Sequence, residues 1–347
     1  MVMKALTLAQ LGSADYIAVR EVPAPTLSNP DDVMIRMRAA ALNRLDLFVI
    51  NGLPGVNLSF PHIMAGDGAG VVERVGAAVK NVQPGDRVMI NPGISCFHCP
   101  SCQAGEHSLC ETYRLLGEHL PGTAAEFVVV PAANLGQVPD RMPWPQAAAF
   151  SLATLTAWRM LITRAVLRPG ETVLIWGIGG GVAMAALQIA KLTGARVIAT
   201  SSSDEKLARA GELGADHLLN HAAVDVPAEV RKLVGRQGVE VVVDNVGEKT
   251  WEKSLRCLGR MGRLVTCGGT TGPLVVTDVR KLFWYQYSIL GSTMGNLREY
   301  QAIVRLAHQG KLWPVIDEVV PMDKGREAFA RLQAGEQTGK LVIEVAA

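Results

Sequence analysis

Four cysteines fall within fifteen residues of the chain, in the stretch CFHCPSCQAGEHSLC. The spacing C-x-x-C-x-x-C-x7-C is typical of a zinc site, because short loops bring four sulfurs to one ion. A shell of four thiolates leaves no open position for water or substrate. We therefore expect one structural Zn2+ that takes no part in catalysis, with four free cysteines as the alternative. Its ligands would be Cys96, Cys99, Cys102 and Cys110.

A glycine-rich turn follows a short apolar strand in WGIGGGVAMAALQIAK. Glycines let the backbone approach a pyrophosphate, and the N-terminus of the following helix offers N–H groups and the positive end of its dipole. The spacing departs from strict G-x-G-x-x-G, since Ala183 holds the helix-packing position, where alanine is a known variant. We expect a dinucleotide to bind here, with a ligand-free tight turn as the alternative. The residues concerned are Gly179, Gly180, Gly181 and Val182.

The end of the next strand, ATSSSDEK, bears on the choice of dinucleotide. An NAD site usually presents a carboxylate to the ribose 2′-OH at this point, but the strand ends at Ser201 and the first carboxylate is Asp204. Small hydroxyls with Lys206 nearby suit a 2′-phosphate, so we expect NADP(H) in preference to NAD(H), held by Ser201, Ser202 and Lys206. Alternatively, Ser202 and Glu205 form a capping box and Lys206 is solvated.

The elements that position these residues fall into three parts. Residues 1–145 are β-rich: DDVMIRMRA alternates between apolar and charged residues, and GAGVVERVG, DRVMI and AEFVVVP are further short strands. In residues 146–294, apolar strands alternate with helices, which is typical of a doubly wound parallel sheet in an α/β fold. Residues 295–347 hold two helices and two strands, and we expect the last strand to return to the first domain.

Composition excludes several classes of protein. The 347 residues are 49% hydrophobic and 19% charged, which favours an ordered chain with a large core. A net charge of +2 without a Lys/Arg run argues against nucleic-acid or membrane partners. The longest apolar run, residues 147–158, is short of the roughly 20 residues of a membrane span, and MVMKALTLAQ does not read as a signal peptide. We expect a cytoplasmic protein, in which clustered cysteines bind metal and do not form disulfides.

Taken together, these segments resemble the medium-chain dehydrogenase/reductase family, which includes zinc alcohol dehydrogenases and quinone oxidoreductases. The resemblance covers essentially the whole chain. It implies a β-rich GroES-like catalytic domain (residues 1–145 and 295–347) with a four-cysteine zinc lobe (residues 91–116), around a Rossmann domain (residues 146–294) with the cofactor in the cleft. The segments that carry it are AALNRLDL, FPHIMAGDGAGVVERVG, QPGDRV, the cysteine lobe, GTAAEFVVVP, LTAW, the glycine loop, VVDNVG and GKLVIEV.

Zinc-dependent members of this family also carry a catalytic zinc, and its ligand positions differ here. The resemblance places Asn43 at the first cysteine ligand and Gly66 with Asp67 at a His–Glu pair. It places Leu152 at the third ligand. One carboxylate does not make a zinc site, so we expect the catalytic zinc to be lost. A rearranged zinc site, serving an alcohol dehydrogenase or carbonyl reductase, is an alternative; it would use Asp46, Asp67, Glu118 and His119.

Hydride transfer without a Lewis acid favours acceptors that are already activated by conjugation, such as quinones, enones and 2-alkenals. We expect Asn43 to hydrogen-bond cofactor or substrate, or else to cap a turn. The proton donor is left open among Asp46, Asp67, His119 and water. By the resemblance, four further residues line the cofactor: Thr156, Asn245, Gly268 and Gly269.

One other function is compatible with the sequence, and a second is opposed by it. A non-catalytic NADPH-binding protein is possible on the sequence, whereas the near-neutral charge opposes a zinc-ribbon nucleic-acid binder. The family pairs Rossmann domains through their last strand, here near SILGST, which implies a homodimer or homotetramer. The preceding aromatic segment, Phe283 to Tyr287, would line that interface or the pocket, or pack in the core.

Overall fold

The computed structural model describes residues 2–345. The chain divides into two compact units, residues 1–153 with 295–347, and residues 154–294. The first unit extends beyond the boundary expected after residue 145, because the short helix Trp144–Ala148 packs against its strands. No helix in the described residues is long and apolar enough to cross a membrane.

Short strands dominate the first unit, and strands alternate with helices in the second. The strands of the first unit are β1 Val2–Leu8, β2 Ile17–Pro23, β3 Asp32–Ala41, β4 His62–Ile63, β5 Asp67–Val75, β6 Arg87–Ile90, β7 Gly93–Ile94, β8 Arg114–Leu115, β9 Phe127–Pro131 and β10 Leu135–Gln137, then, after the second unit, β17 Ile316–Pro321 and β18 Lys340–Glu344. Those of the second unit are β11 Thr172–Ile175, β12 Arg196–Ser201, β13 His217–Asn220, β14 Val239–Val243, β15 Leu258–Thr266 and β16 Ser288–Gly291. The α-helices are α1 Arg44–Asn51, α2 Pro100–Gln103, α3 Trp144–Ala148, α4 Ser151–Trp158, α5 Gly181–Thr193, α6 Asp204–Glu212, α7 Val226–Val234, α8 Trp251–Cys257, α9 Val279–Tyr285, α10 Leu297–His308 and α11 Gly325–Ala334.

The main sheet of the first unit has the order β10-β6-β5-β3-β18-β17, with β9 also paired to β3. The expected alternation of β3 is confirmed around Arg36, which is exposed between the buried Ile35 and Met37, but Met34 is buried as well. The C-terminal strand β18 runs antiparallel to β3, which confirms that the tail returns to the first domain. In this register Ala41 lies opposite both Asp67 of β5 and Val342 of β18. The ends of three strands therefore meet at one place.

The cysteine lobe is closed by its own small ladder. Strand β7 ends just before the first cysteine, β8 begins just after the last, and the two pair antiparallel with Ile94 opposite Arg114. The lobe's core consists of the cysteines themselves, with Tyr113 packed against them. So little apolar material indicates that the lobe relies on a bound ion for its order.

The second unit has a six-stranded sheet of order β13-β12-β11-β14-β15-β16, parallel throughout. This is the Rossmann order, so the α/β fold expected from the sequence is confirmed. The order reverses between β11 and β14, and ligands of such sheets bind outside the carboxyl ends of the strands at that point. The segments that leave these two ends are the glycine loop after β11 and residues 244–250 after β14.

The aromatic segment before β16 is at the surface. Phe283 and Trp284, both on α9, are 65% and 67% exposed, so the core-packing alternative is wrong for these two side chains. Exposed apolar side chains also occur in the preceding loop, where Leu274 and Val276 are 86% and 89% exposed.

Candidate functional site

The four predicted metal ligands converge. The sulfur atoms of Cys96, Cys99, Cys102 and Cys110 all lie within 4.8 Å of one another, and the Sγ atoms of Cys96 and Cys102 are 4.0 Å apart. Tetrahedral Zn–S bonds of about 2.3 Å require sulfur separations of about 3.8 Å. The N–H of Cys96 donates to Cys110 Sγ and that of Cys99 to Cys96 Sγ, both at 3.3 Å, which stabilises thiolates. The cluster fits a zinc ion in donor type and spacing.

The glycine loop leads directly into α5. Gly177 has φ +66°, in the left-handed region that favours glycine, and Gly180 is the N-cap of the 13-residue helix. A Cβ added at Gly180 would find a single atom within 4 Å, the carbonyl oxygen of Gly177 at 3.8 Å, so the loop surface is open there. Ala183 is fully buried, as a helix-packing position requires. The open backbone and the free N–H groups of the first helical turn fit a pyrophosphate.

The serine-rich turn after β12 differs from the expected capping box. Ser203, not Ser202, is the N-cap of α6 and accepts the N–H of Lys206 at 3.4 Å, so the Ser202–Glu205 pairing is wrong. Ser201 is buried, and its hydroxyl accepts the N–H of Ser203 at 3.1 Å. Ser202 is exposed.

Lys206 reaches back to the glycine loop. A Cβ added at Gly179 would lie 2.6 Å from Lys206 Cδ and 3.1 Å from Lys206 Nζ. The ammonium group therefore lies beside the glycine loop. This places a fixed positive charge where a dinucleotide bears its phosphates.

A buried carboxylate that the sequence analysis missed organises the turn after β14. Asp244 is fully buried, and its side chain accepts the N–H groups of Val246 and Gly247 and the hydroxyls of Thr250 and Ser254. Its signal was the acid that ends the largely apolar run VEVVVD. The neighbouring Asn245 has a buried Oδ1 with no hydrogen-bond partner in the described part of the chain. An acceptor held in this way fits a ligand that supplies a donor.

The remaining predicted cofactor residues also lie in the second unit. Thr156 is buried on α4, and its hydroxyl donates to the sulfur of Met294 at 3.6 Å. Gly268 is exposed, and its carbonyl accepts the Thr266 hydroxyl at 2.9 Å. Gly269 packs against the turn after β14, since a Cβ added at Gly247 would lie 2.9 Å from its Cα. Val182 is partly buried in the first turn of α5.

A second polar group lies in the first unit and is almost completely buried. We call it the Asp67 cluster; it consists of Asn43, Asp46, Asp67 and Lys340, whose exposed fractions are 8%, 2%, 0% and 3%. Lys340 Nζ donates to Asn43 Oδ1 at 2.5 Å and to Asp67 Oδ2 at 3.0 Å. Asn43 Nδ2 donates to Asp67 Oδ2 at 3.0 Å. Three of the predicted catalytic residues therefore meet, together with a lysine that was not predicted.

The strand register explains this convergence. Asp67 is the first residue of β5, Asn43 follows β3 as the N-cap of α1, and Lys340 is the first residue of β18. The N–H of Leu42 donates to the carbonyl of Leu341 at 2.9 Å, so the ladder between β3 and β18 continues up to the cluster. The signal for Lys340 was a lone cation opening the apolar strand KLVIE, where burial demands a partner.

The carboxyl group of Asp46 ties two segments of the cluster together. Its Oδ2 accepts the N–H of Asn43 at 2.6 Å, and it also receives a backbone hydrogen bond from Ala65. Ala65 has φ +70°, a backbone conformation that an alanine rarely adopts. Burial raises the pKa of Asp46 to about 7, against the opposing effects of the Asn43 N–H and the Lys340 ammonium.

Both oxygens of the Asp67 carboxylate have partners from the protein. Oδ1 accepts the backbone N–H of Leu152 at 2.7 Å, and Oδ2 accepts from Asn43 and Lys340. Within residues 2–345, the four-cysteine cluster is the one group of three or more His, Cys, Asp or Glu side chains whose ligand atoms lie close enough to share a metal. The set Asp46, Asp67, Glu118 and His119 does not form such a group.

His119 lies on a loop that follows β8. Its Nδ1 accepts the N–H of Leu115 at 3.3 Å and is 3.6 Å from Glu118 Oε1. The loop packs closely on the start of β5, because a Cβ added at Gly66 would lie 2.9 Å from the carbonyl oxygen of Leu116. His119 is therefore on the loop that covers the residue before Asp67, and it remains partly exposed.

Two family models match the chain, one over each unit's main part. The model described as an alcohol dehydrogenase GroES-like domain matches residues 29–140, and the model described as a zinc-binding dehydrogenase matches residues 181–309. A zinc-type alcohol dehydrogenase-like protein of Schizosaccharomyces pombe is 30% identical over 99% of this chain and 100% of its own length. The crystal structure of an NAD-dependent alcohol dehydrogenase is 42% identical, with a TM-score of 0.95, over 99% of this chain and 100% of that one.

Relatives with other printed activities match over similar lengths. The acryloyl-coenzyme A reductase of Metallosphaera sedula is 29% identical, over 98% of this chain and 99% of its own. The human quinone oxidoreductase is 26% identical, over 98% of this chain and 97% of its own. Acryloyl-coenzyme A and quinones both contain a carbonyl group conjugated with a C=C bond. The name alcohol dehydrogenase refers to an alcohol instead.

Proposed function

Because the chain belongs to the medium-chain dehydrogenase/reductase family and is an NAD(P)-dependent oxidoreductase, we propose that it reduces activated acceptors by hydride transfer without a catalytic zinc. The acceptors are quinones, enones or 2-alkenals. The bound nicotinamide supplies the hydride. The four-cysteine lobe holds one structural zinc, and the remaining chemistry is carried by side chains.

The main support for the proposal is that both oxygens of the Asp67 carboxylate already accept hydrogen bonds from the protein. A catalytic zinc needs three protein ligands and an open position, whereas the matching positions here hold an amide, a glycine with a carboxylate, and a leucine. That carboxylate is already hydrogen-bonded by Asn43, Lys340 and Leu152. A divalent ion at Asp67 would have to displace these donors and would lie next to the Lys340 ammonium, 3.0 Å from the carboxylate. Charge repulsion opposes such an arrangement.

Loss of the Lewis acid narrows the substrate class. An isolated ketone needs strong polarisation before it accepts hydride, and an alcohol needs deprotonation before it donates one. A conjugated acceptor spreads the incoming charge onto a distant oxygen, so hydrogen bonds and alignment provide enough stabilisation. The two relatives named for acryloyl-coenzyme A and quinone reduction support this class.

NADP(H) is the cofactor we propose. The strand β12 ends in a hydroxyl side chain where an NAD site usually presents a carboxylate, and Lys206 lies beside Gly179. The backbone of the glycine loop and the N-terminus of α5 hold the pyrophosphate. The buried Oδ1 of Asn245 offers an acceptor to the bound ligand.

Metal analysis combined with a substrate survey tests the proposal. Protein purified without added metal should contain one zinc per chain and oxidise NADPH with a quinone, a cyclic enone or a 2-alkenal. It should leave ethanol and simple secondary alcohols unoxidised with NADP+ at the same enzyme concentration. Two zincs per chain, or alcohol oxidation that a chelator abolishes, would contradict a zinc-free mechanism. Tight NADPH binding without turnover on any acceptor would show a non-catalytic binding protein.

A further inference from the structure

We propose that the ammonium group of Lys340 is the resident cation of the Asp67 cluster and acts through Asn43 on the acceptor's oxygen. This rests on the proposed function, because it assigns to Lys340 and Asn43 together the polarising role that a metal would fill. Lys340 is a positioning residue in this scheme, and Asn43 is the group that touches the substrate.

The charges of the cluster require a cation. Asp67 is completely buried, and an isolated buried carboxylate is strongly unfavourable unless it is paired. The Lys340 side chain is 4% exposed and lies 3.0 Å from Asp67 Oδ2, so each charge compensates the other away from solvent. The same ammonium contacts Asn43 Oδ1 at 2.5 Å. The amide oxygen and the carboxylate oxygen that contact this ammonium are also of the kind that binds divalent metals.

The two contacts fix the orientation of the Asn43 amide. With Oδ1 held by Lys340, the NH2 group must face Asp67, to which it donates at 3.0 Å. Its other contact is to the Ala41 carbonyl at 3.5 Å, the outer limit of a hydrogen bond. The second N–H of Nδ2 is therefore the weakly held donor of the cluster. A cation on Oδ1 polarises the amide and makes that N–H a stronger donor.

The proposed step reduces an enone to a saturated ketone. Hydride adds to the β-carbon, the π electron pair of the C=C bond moves into conjugation with the carbonyl, and an enolate forms. The enolate oxygen accepts the hydrogen bond from Asn43 Nδ2, and a proton then adds to the α-carbon. The net reaction consumes one NADPH and one proton and gives the saturated ketone and NADP+. Removal of a single oxyanion donor costs about 100- to 1000-fold in kcat in other enzymes, which sets the expected scale.

A double variant separates positioning from folding. Lys340→Met alone leaves Asp67 buried and uncompensated and is expected to fold but to melt at a lower temperature, whereas Lys340→Met with Asp67→Asn removes both charges together. We expect the double variant to fold, to bind NADPH within about twofold of wild type, and to lose at least about 10-fold in kcat for an enone. Asp67→Asn alone, which keeps the cation, should retain more activity than the double variant. Full activity in the double variant would overturn the positioning role.

Chemical rescue tests the cation itself and does not depend on turnover. In Lys340→Ala, ethylammonium should raise the melting temperature saturably and restore kcat in parallel, whereas tetramethylammonium, which has no N–H, should do neither at equal ionic strength. Absence of a thermal shift specific to ethylammonium would overturn the proposal. If wild type contains one zinc per chain and is active, but Lys340→Ala is not rescued, only the role of Lys340 is contradicted. Two zincs per chain, by contrast, would sink the zinc-free function as well.

Discussion

The carboxyl group of Asp46 accepts the backbone N–H of Asn43 at 2.6 Å while only 2% of the Asp46 residue is exposed. Burial raises its pKa from 3.8 to about 7, which makes Asp46 an acid whose proton is retained on folding. Between about pH 4 and pH 7 the unfolded chain ionises this group while the folded chain keeps it protonated. Unfolding then releases a proton, so this group's contribution to stability falls as pH rises and levels off above the folded pKa.

Replacing Asp46 with asparagine should remove that pH dependence. Asp46→Asn keeps a carbonyl oxygen for the N–H of Asn43 but cannot ionise. The free energy of unfolding of both proteins is measured by urea titration from pH 4 to pH 8. The value for the variant minus that for wild type should increase as pH rises to 7. The gain should approach at most about 1.4 kcal/mol per pH unit. A difference between the two proteins that does not vary with pH would contradict the raised pKa.

Lys206 is expected to set the choice of dinucleotide. Lys206→Ala should raise the KM for NADPH about 10-fold, since a charged hydrogen bond to phosphate contributes about 1.5 kcal/mol, and should change the KM for NADH less than about twofold. Arg209→Ala is the matched control on the same helix, because Arg209 pairs with Glu212 at the surface. Equal effects on both cofactors would argue that Lys206 supports the loop and does not read the 2′-phosphate.

The cysteine lobe should lose its metal when one ligand is changed. Cys110→Ser is expected to reduce the zinc content from one per chain to less than 0.2, roughly, and to lower Tm by at least about 5 °C, because metal binding there contributes folding energy. Cys267→Ser, outside the cluster, is the control and should keep its zinc. Elemental analysis and thermal melts measure both effects. An unchanged zinc content in Cys110→Ser would place the metal elsewhere.

Local patterns account for most of the fold but not for the Asp67 cluster. The alternation of β3 and the apolar helix α5 were predicted because each depends on neighbouring residues only. The bond between Lys340 and Asp67 joins residues 273 positions apart and depends on the pairing of β18 with β3. Sequence spacing carries no information about such a register.

Smaller errors have local causes. The N-cap of α6 was assigned one residue too early, because Ser202 and Ser203 are chemically equal and backbone geometry alone separates them. Strand β13, His217–Asn220, was not predicted, since it is a short, partly exposed edge strand without an apolar run. For Phe283 and Trp284, residue type alone is compatible with an interface, a pocket or the core. Only their exposure in the structure excludes the core.

The exposed apolar side chains of the second unit predict self-association. Strand β16 is at the edge of its sheet, and Ile289 on it is 36% exposed, near in sequence to the exposed Trp284. We expect a homodimer, or a pair of dimers, that buries this edge. Ile289→Lys with Trp284→Lys should give a monomer of 37.1 kDa by light scattering, while Val319→Lys, on the edge strand β17 of the first unit, should not. Wild-type protein that elutes as a monomer would refute the prediction.

His119 is the side chain that we expect to deliver the proton to the reduced acceptor. Asp67 is ion-paired with Lys340 at 3.0 Å and Asp46 is almost completely buried, whereas His119 is partly exposed on the loop that packs against Gly66. His119→Gln keeps an acceptor for the N–H of Leu115 but cannot transfer a proton, so kcat for an enone should fall about 10- to 100-fold with KM for NADPH unchanged. His98→Gln, in the exposed part of the cysteine lobe, is the control. If His119→Gln leaves both kcat and its solvent isotope effect at wild-type values, water and not His119 supplies the proton.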